Sequence, residues 1–434
     1  MPTAAIHTLG CRLNQADSAL IADHLRRHGF AIVRWGSPAD LLVINSCVVT
    51  REAARKTRRA VRSARRSYPD ACVVLAGCGV DVQPDAWPGE SLRPHLALPN
   101  AEKRRVVHHL PPRLRPRDLP ADSPAPVRSR DLFLESGCGY YPEHTRANLK
   151  IQEGCDCFCS YCIVPYARGR PRSRTWADVL REARELVDRG HRELVLTGVN
   201  IARYNDHGRT LSDLIEALLG IGGAFRIRLS STEPCDELPH LFEPMRDEPR
   251  ICRFLHLPVQ YGEDSLLSAM NRPYRVSEFM DLARQAADIV PGLCLGTDVI
   301  VGFPGETDET FAACRETIAQ LPLANLHVFR FSPRPGTPAA TFSNRVDGRI
   351  AAARHRELTV LGAEKEETFA RGQLGKPIDV LTERRNSRGC WEGWSDNYLR
   401  AELVDTDHAL AENAPVAARV EEVRAGRTVR AKQA

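Results

Sequence analysis

The sequence predicts an α/β chain of three units: a doubly wound α/β domain, a parallel strand–helix barrel, and a small β-barrel. Three observations predict it. The 434 residues exceed what one hydrophobic core usually supports. Short apolar runs alternate with segments of helical period through most of the length. Beyond residue 372 the pattern changes to short strands around glycine and polar turns.

Residues 1–110 form the first predicted unit. Ala4–Leu9, Leu41–Ser46 and Cys72–Ala76 are short apolar runs of the kind found in buried parallel strands. Between them Arg51–Arg66 places Ala53, Ala54, Ala60, Val61 and Ala64 on one helical face and arginines on the rest. Residues 111–140 open with a run rich in proline and arginine, through Arg130, whose prolines continue neither a helix nor a central strand, so this stretch reads as a semi-rigid linker. Residues 141–372 resume the alternation. Leu149–Gln152, Glu193–Thr197, Arg226–Ser230, Phe254–Pro258, Gly296–Val301 and Leu326–Phe331 read as strands; Trp176–Arg189, Leu211–Leu219, Val276–Ile289 and Thr307–Leu321 read as helices. Such a succession suggests a TIM-type barrel, full or partial, with chemistry at the C-terminal strand ends; an open doubly wound sheet satisfies the same pattern. A charged helix, Arg349–Arg371, precedes residues 373–434, where Pro377–Leu381, Gly393–Val404 and Pro415–Val423 read as strands of an OB-like module.

Composition is that of an ordinary globular protein, and no stretch resembles a membrane span or a secretory signal, so the expected location is the cytoplasm. The net charge of +5 is modest, but basic residues crowd four stretches: 51–66, 103–117, 168–174 and 424–432. That distribution suits a polyanion touching several parts of the protein; solvated helix faces are the plainer explanation of any one cluster.

Fourteen cysteines in a reducing compartment point to metal binding or catalysis rather than disulfides. Cys72, Cys252, Cys294 and Cys314 sit in apolar runs and read as small buried hydrophobes. The sharpest signal is Cys155-x3-Cys159-x2-Cys162, directly after the first strand of the second unit. Three thiolates so close can hold three irons of a 4Fe–4S cube and leave the fourth open, whereas such clusters normally use four cysteines. A zinc knot that also uses Cys157 is the competing reading. Cys11, Cys47 and Cys78 are dispersed, yet each follows a predicted strand, and such ends open on one crevice of a doubly wound sheet. Any one of them alone reads as a core residue.

The Cys155 spacing, with Tyr161 before its third cysteine, resembles the radical S-adenosylmethionine superfamily. The combination of both triads resembles the methylthiotransferase family within it. TLGCRLNQADS, NSCVVT, KIQEGCDCFCSYCIVPYARGRPRSR, TGVNI, RLSSTEP, HLPVQYGEDSLLSAMNRPY, TDVIVGFPGET and HVFRFSPRPGTP follow its pattern across almost the whole chain. The resemblance implies two 4Fe–4S clusters, on Cys155, Cys159 and Cys162 and on Cys11, Cys47 and Cys78, with S-adenosylmethionine on the first. It implies a radical domain between an auxiliary-cluster domain and a C-terminal TRAM barrel that binds RNA. It further implies a tRNA substrate, an electron donor such as a flavodoxin or ferredoxin, and iron–sulfur assembly machinery as partners. TLGCRLN, NSCVVT and SPRPGTPAA are most similar to the branch acting on threonylcarbamoyladenosine; other branches act on isopentenyladenosine or on an aspartate of a ribosomal protein. A non-catalytic, zinc-containing RNA-binding protein is the rival from another class.

The strand ends then supply the expected cofactor pocket: Gly198 and Asn200, Ser231 and Glu233, His256 and Gln260, and Ile300 and Gly302. Each serves equally well as a purely structural strand end. Arg168, Arg170 and Arg174 follow the cysteine loop closely enough to meet phosphate, unless they pair with acids on the barrel rim. Arg384, Trp394, Asn397, Tyr398 and Arg400 place basic, amide and aromatic groups together as RNA loops require, although a small core would also use the rings.

Overall fold

The computed structural model describes residues 1–82, 93–115, 137–141, 145–404 and 410–433. Most of the proline- and arginine-rich linker therefore lies outside the described residues.

The first layer contains β1 (Thr3–Thr8), α1 (Arg12–Arg27), β2 (Ala31–Val33), β3 (Leu41–Ser46), α2 (Arg51–Ser67), β4 (Cys72–Gly77), α3 (Cys78–Val82), β5 (Leu96–Leu98) and α4 (Val106–His109). Its strands form a parallel sheet of order β2-β1-β3-β4-β5. Every residue of β3 and β4 is buried, because helices cover both faces: Leu42, Ile44, Val73 and Leu75 pack on one side, Leu41, Val43 and Val74 on the other. Each such side chain contributes about 1.5–3 kcal/mol by leaving water. The chain reverses direction across the sheet at β1, which opens a crevice at the C-terminal ends of β1 and β3.

The central unit runs through β6 (Arg146–Lys150), β7 (Gln152–Glu153), α5 (Val164–Arg168), β8 (Arg172–Ser173), α6 (Trp176–Asp188), β9 (Glu193–Thr197), α7 (Leu211–Leu219), β10 (Arg226–Leu229), α8 (Pro239–Asp247), β11 (Phe254–His256), α9 (Asp264–Ala269), α10 (Val276–Ile289), β12 (Cys294–Val301), α11 (Asp308–Gln320), β13 (Asn325–Arg330) and α12 (Gly348–Arg371). Two three-stranded parallel sheets, β6-β9-β10 and β11-β12-β13, are joined by the bridges Ile227–Ile251 and Ser231–His256. The result is a six-stranded arc; among the described residues β6 and β13 do not pair, so the barrel is partial. Ala147, Leu149, Leu194, Leu196, Ile227 and Leu229 face the helices and form one core with Val179, Leu186, Leu214 and Phe242. The alternate residues face the lumen and, Val195 apart, are polar: Asn148 and Lys150, Glu193, Arg226 and Arg228. This polar lumen face also explains why β6 begins at Arg146 and not at Leu149, where hydrophobicity alone starts it.

Five strands, β14 (Pro377–Arg385), β15 (Trp391–Ser395), β16 (Arg400–Leu403), β17 (Pro415–Ala425) and β18 (Thr428–Gln433), close the last barrel in the order β14-β15-β16-β18-β17. The expected single strand Gly393–Val404 is a hairpin, turned at Asp396–Leu399 with Tyr398 at φ 61°. β18 falls on the basic cluster 424–432; Val429 and Ala431 point inward while Arg430 and Lys432 alternate outward. No helix among the described residues is long and apolar enough to cross a membrane.

Candidate cluster and cofactor site

The loop after β6 is built to hold three thiols together. β7 and β8 pair antiparallel and pin its two ends, and the Cys155 amide donates to the Gly169 carbonyl at 3.0 Å. Gly154 has φ 77°, and a Cβ there would lie 2.0 Å from the Arg170 carbonyl oxygen, so only glycine fits. At the far side, Ser160 anchors the loop to the end of α9 through Ala269 and Met270. Cys155, Cys159 and Cys162 are close enough to repel one another as thiolates. Burial, and next Cys159, push the Cys162 thiol up to about 12. The Cys155 thiol is lowered, first by a hydrogen bond from the Cys157 side chain. Cys157 thus supports Cys155, and its own thiol is pushed up by that bond and by burial.

The dispersed cysteines also converge. Cys11 follows β1, Cys47 follows β3 and Cys78 follows β4, three adjacent strands of the sheet. Gly10 has φ 97°, and a Cβ there would stand 2.7 Å from Cys47 Sγ. Burial raises the Cys47 thiol to about 11, and the nearby Cys11 and Cys78 add to the rise. Both triads are sets of crowded thiols that a metal cluster would bind as thiolates and draw together. The donor sets fit two 4Fe–4S cubes, each one ligand short.

The first domain fills the gap in the barrel. On one side α1 lies against the lumen face of β6, and its buried Asp17 accepts from Lys150 Nζ at 2.8 Å and from Lys103. On the other side the loop after β13 reaches α2, where Ser332 Oγ accepts from the Arg51 amide at 3.0 Å. Arg168 joins the two triads. It ends α5, six residues after Cys162, and it donates to Glu153 Oε1 at 2.7 Å and to Asn14 Oδ1 at 2.5 Å. Its charge also faces Cys11 and Cys78. Asn100 closes the contact by donating to the Ala167 carbonyl at 2.9 Å and to Cys78 Sγ at 3.5 Å. Burial would raise the Glu153 carboxyl, but Lys150 and Arg168 outweigh it and hold it at about 2.

The strand ends form the rest of the pocket. Gln152 Oε1 accepts from the amides of Val199 and Asn200 at 2.9 and 3.0 Å, fixing the turn that holds Gly198. Asn200 is buried and its Oδ1 has no partner among the described residues; Ser230 Oγ is buried and likewise unpartnered among them. Such orphaned atoms suit the amino and carboxylate groups of a bound S-adenosylmethionine. Ser231, the residue expected here, is half-buried on the opposite side of the strand; side-chain alternation from Arg226 and Arg228 puts Ser230 on the lumen side. Glu233 pairs with Arg272, whose Nη1 lies 3.1 Å from Cys159 Sγ. Arg272 was missed, although it stands in the motif ending MNRPY. His256 and His327 flank Asp298 at 3.1 and 3.2 Å; burial opposes ionisation, but their hydrogen bonds hold that carboxyl at about 2. Gln260 has φ 66° and bridges to β12 beside Ile300, which is half-buried. Gly302, with φ 74°, makes room for α12: a Cβ would meet Ala351 Cβ at 2.7 Å.

Several expected RNA contacts are corrected. Arg168 and Arg174 are buried in ion pairs, Arg168 with Glu153 and Asp17, Arg174 with Asp178 and Glu182, so neither can reach phosphate. Arg170 is exposed. Asn397 is fully buried, bonded to Ser395 and Gln373. Tyr398 stacks between Trp394 and Phe254 at 4.8 and 4.5 Å, and Arg12 donates to its hydroxyl at 2.5 Å. The hairpin turn therefore docks on the N-terminal end of the partial barrel, where Arg226 and Arg228 donate to the carbonyls of Asp379, Trp394, Ser395 and Asp396. Arg384 and Arg400 are more open and share Glu392. With Trp394, Arg12, Trp35 and Arg146 they line a cleft of about 1370 Å³ between the three units.

A partial barrel with a cysteine loop after its first strand, completed by a domain carrying a second triad, defines a radical S-adenosylmethionine enzyme with an auxiliary cluster. Residues 149–318 match the Radical SAM superfamily, and residues 3–92 match Uncharacterized protein family UPF0004. The fold is similar to that of the radical S-adenosylmethionine methyltransferase TsrM from Kitasatospora setae, with a TM-score of 0.54 and 15% identity over 89% of this chain and 79% of that one. The threonylcarbamoyladenosine tRNA methylthiotransferase MtaB of Thermotoga maritima is 33% identical over 93% of this chain and 92% of its own. MtaB of Bacillus subtilis is 31% identical over 94% and 92%. The tRNA-2-methylthio-N(6)-dimethylallyladenosine synthase of Anaplasma marginale is 34% identical over 89% and 86%. The chain belongs to the radical S-adenosylmethionine methylthiotransferase family, whose cofactors are S-adenosylmethionine and two 4Fe–4S clusters.

Proposed function

We propose that the chain converts N6-threonylcarbamoyladenosine, immediately 3′ of the tRNA anticodon, to its 2-methylthio derivative. The observation that carries this reading is the convergence of two three-thiol sets on one seam, joined through Arg168. Cys155, Cys159 and Cys162 would hold the cube that binds S-adenosylmethionine, and Cys11, Cys47 and Cys78 the auxiliary cube. When bound, the cofactors supply the radical needed to activate an inert adenosine C–H bond and the site for the sulfur to be transferred. The chain's own residues bind and orient. Asn200 and Ser230 offer unpaired polar atoms to the methionine end, and Glu233 holds Arg272 against Cys159. The half-exposed Asp298 and His327, beside His256, make the lumen polar, which suits a threonylcarbamoyl group better than an isopentenyl one. The 33% identity to an MtaB relative over nearly all of both chains supports the same branch.

Arg170, Arg384, Arg400 and Trp394 are the RNA-contacting residues of this reading, which also includes a flavodoxin- or ferredoxin-like electron donor, iron–sulfur assembly partners and a cytoplasmic location. Mass spectrometry of tRNA nucleosides from cells lacking the gene tests it. 2-Methylthio-threonylcarbamoyladenosine should disappear. If it persists while the methylthiolated isopentenyl nucleoside is lost, the substrate assignment is wrong.

A further inference from the structure

Arg334 lies in the loop after β13 and is only 2% exposed, yet its Nε and Nη2 meet no partner among the described residues. A buried, unpaired guanidinium is costly. The other buried arginines among the described residues each face a carboxylate: Arg168 faces Glu153, Arg174 faces Glu182, Arg226 and Arg228 face Glu193, Arg272 faces Glu233, and Arg354 faces Glu306. Arg334 has the reverse surroundings. Arg51 and Arg58 of α2 press positive charge upon it, and the neighbouring group that favours its charge is Cys47. Its position is fixed by the main chain: Ser332 Oγ accepts from the Arg51 amide at 3.0 Å, and the Arg334 carbonyl accepts from Thr337 Oγ1 at 2.8 Å.

We propose that Arg334 is a positioning residue that donates its free N–H groups to the auxiliary 4Fe–4S cluster, with Arg51 and Arg58 completing a cationic wall beside Cys47. This rests on the reading of Cys11, Cys47 and Cys78 as cluster ligands. A cube on three thiolates is anionic, and each electron it takes up adds negative charge. Hydrogen bonds to its sulfurs and nearby cations favour the reduced form, so they raise its potential. An RNA phosphate is the poorer partner, because a guanidinium this buried presents almost no surface to a macromolecule. Arg51, which is exposed, could meet phosphate; Arg334 could not.

The test uses the full-length chain with Cys155, Cys159 and Cys162 replaced by alanine, reconstituted anaerobically so that only the auxiliary cube can load. Iron and sulfide content are measured first, then the midpoint potential is read by an EPR-monitored redox titration. In this background Arg334→Gln should shift the midpoint to more negative potential at unchanged iron content, and Arg334→Lys should lie between it and the parent. If Arg334→Gln does not retain the cube, Arg51→Gln/Arg58→Gln reads the same field and should shift the midpoint in the same direction. Equal midpoints in the loaded variants overturn the assignment of Arg334 alone, as does a loss of tRNA affinity with an unmoved midpoint. A parent that binds no cube overturns the cluster reading and this inference with it.

Discussion

Arg168 concentrates the charge of the seam, since Asp17, Glu153 and Asn14 all accept from it in a site closed to water. Arg168→Gln leaves two buried carboxylates short of a partner, and denaturant unfolding should show a loss of about 3–5 kcal/mol. Lysine should restore only part, because it lacks the planar fork that serves two acceptors at once. Gly154→Ala acts locally: the Cβ meets the Arg170 carbonyl oxygen, so the Cys155 loop should open and the bound iron fall to about half, as quantified after anaerobic reconstitution. Spacing made the Cys155 triad legible in the sequence and position after predicted strands the dispersed one, because cluster chemistry demands thiols that converge at strand ends. For Arg168 and Arg174 the sequence leaves phosphate and rim acids equally open. Glu153, Asp178 and Glu182 lie within 15 residues of them but Asp17 is 151 residues from Arg168, and composition alone does not say which acid meets which base.

At the scale of elements, α1 shows what hydrophobic period conceals. Ile21 and Leu25 pack on its own sheet, while Asn14 and Asp17, polar and equally buried, meet Arg168, and Asp17 also meets Lys150 of β6. A polar helix face reads as solvated unless its partner is known. The strand–helix alternation of the central unit was legible to the residue at Glu193–Thr197, Leu211–Leu219 and Val276–Ile289, where outward-facing apolar residues mark the element, whereas α5, α8 and α9 went unread. The three-residue β2 and β5 are too short to show a period. The α1–β6 contact also has a pH signature. Glu153 is held at about 2, below its ordinary 4.5, so its contribution is complete above about pH 4.5 and is lost as pH falls toward 2. The thermal stability difference between the parent and Glu153→Gln should shrink across that window. In the last barrel, Arg384→Ala and Arg400→Ala should weaken tRNA binding and each reduce the salt slope by about 1. Asn397→Ala should instead lower the melting temperature, since its amide is spent inside the protein.

The whole molecule is one chamber assembled from separate pieces. Six strands leave a gap, and the first domain closes it with α1 on one side and the α2 end on the other, bringing the second triad to face the first. Substituting Cys11, Cys47 and Cys78 by alanine should halve the iron and abolish methylthiolation while leaving reductive cleavage of S-adenosylmethionine measurable by chromatography. From the opposite end, the Asp396–Leu399 turn enters the arc beneath Arg226 and Arg228, and the Tyr398 phenol touches Arg12 of the first domain. The module whose outer strands suit RNA is thus also the stopper in the base of the reaction vessel. Cutting it away would drain the vessel as well as remove the grip, so truncation cannot tell the two roles apart, whereas single changes on its outer rim can.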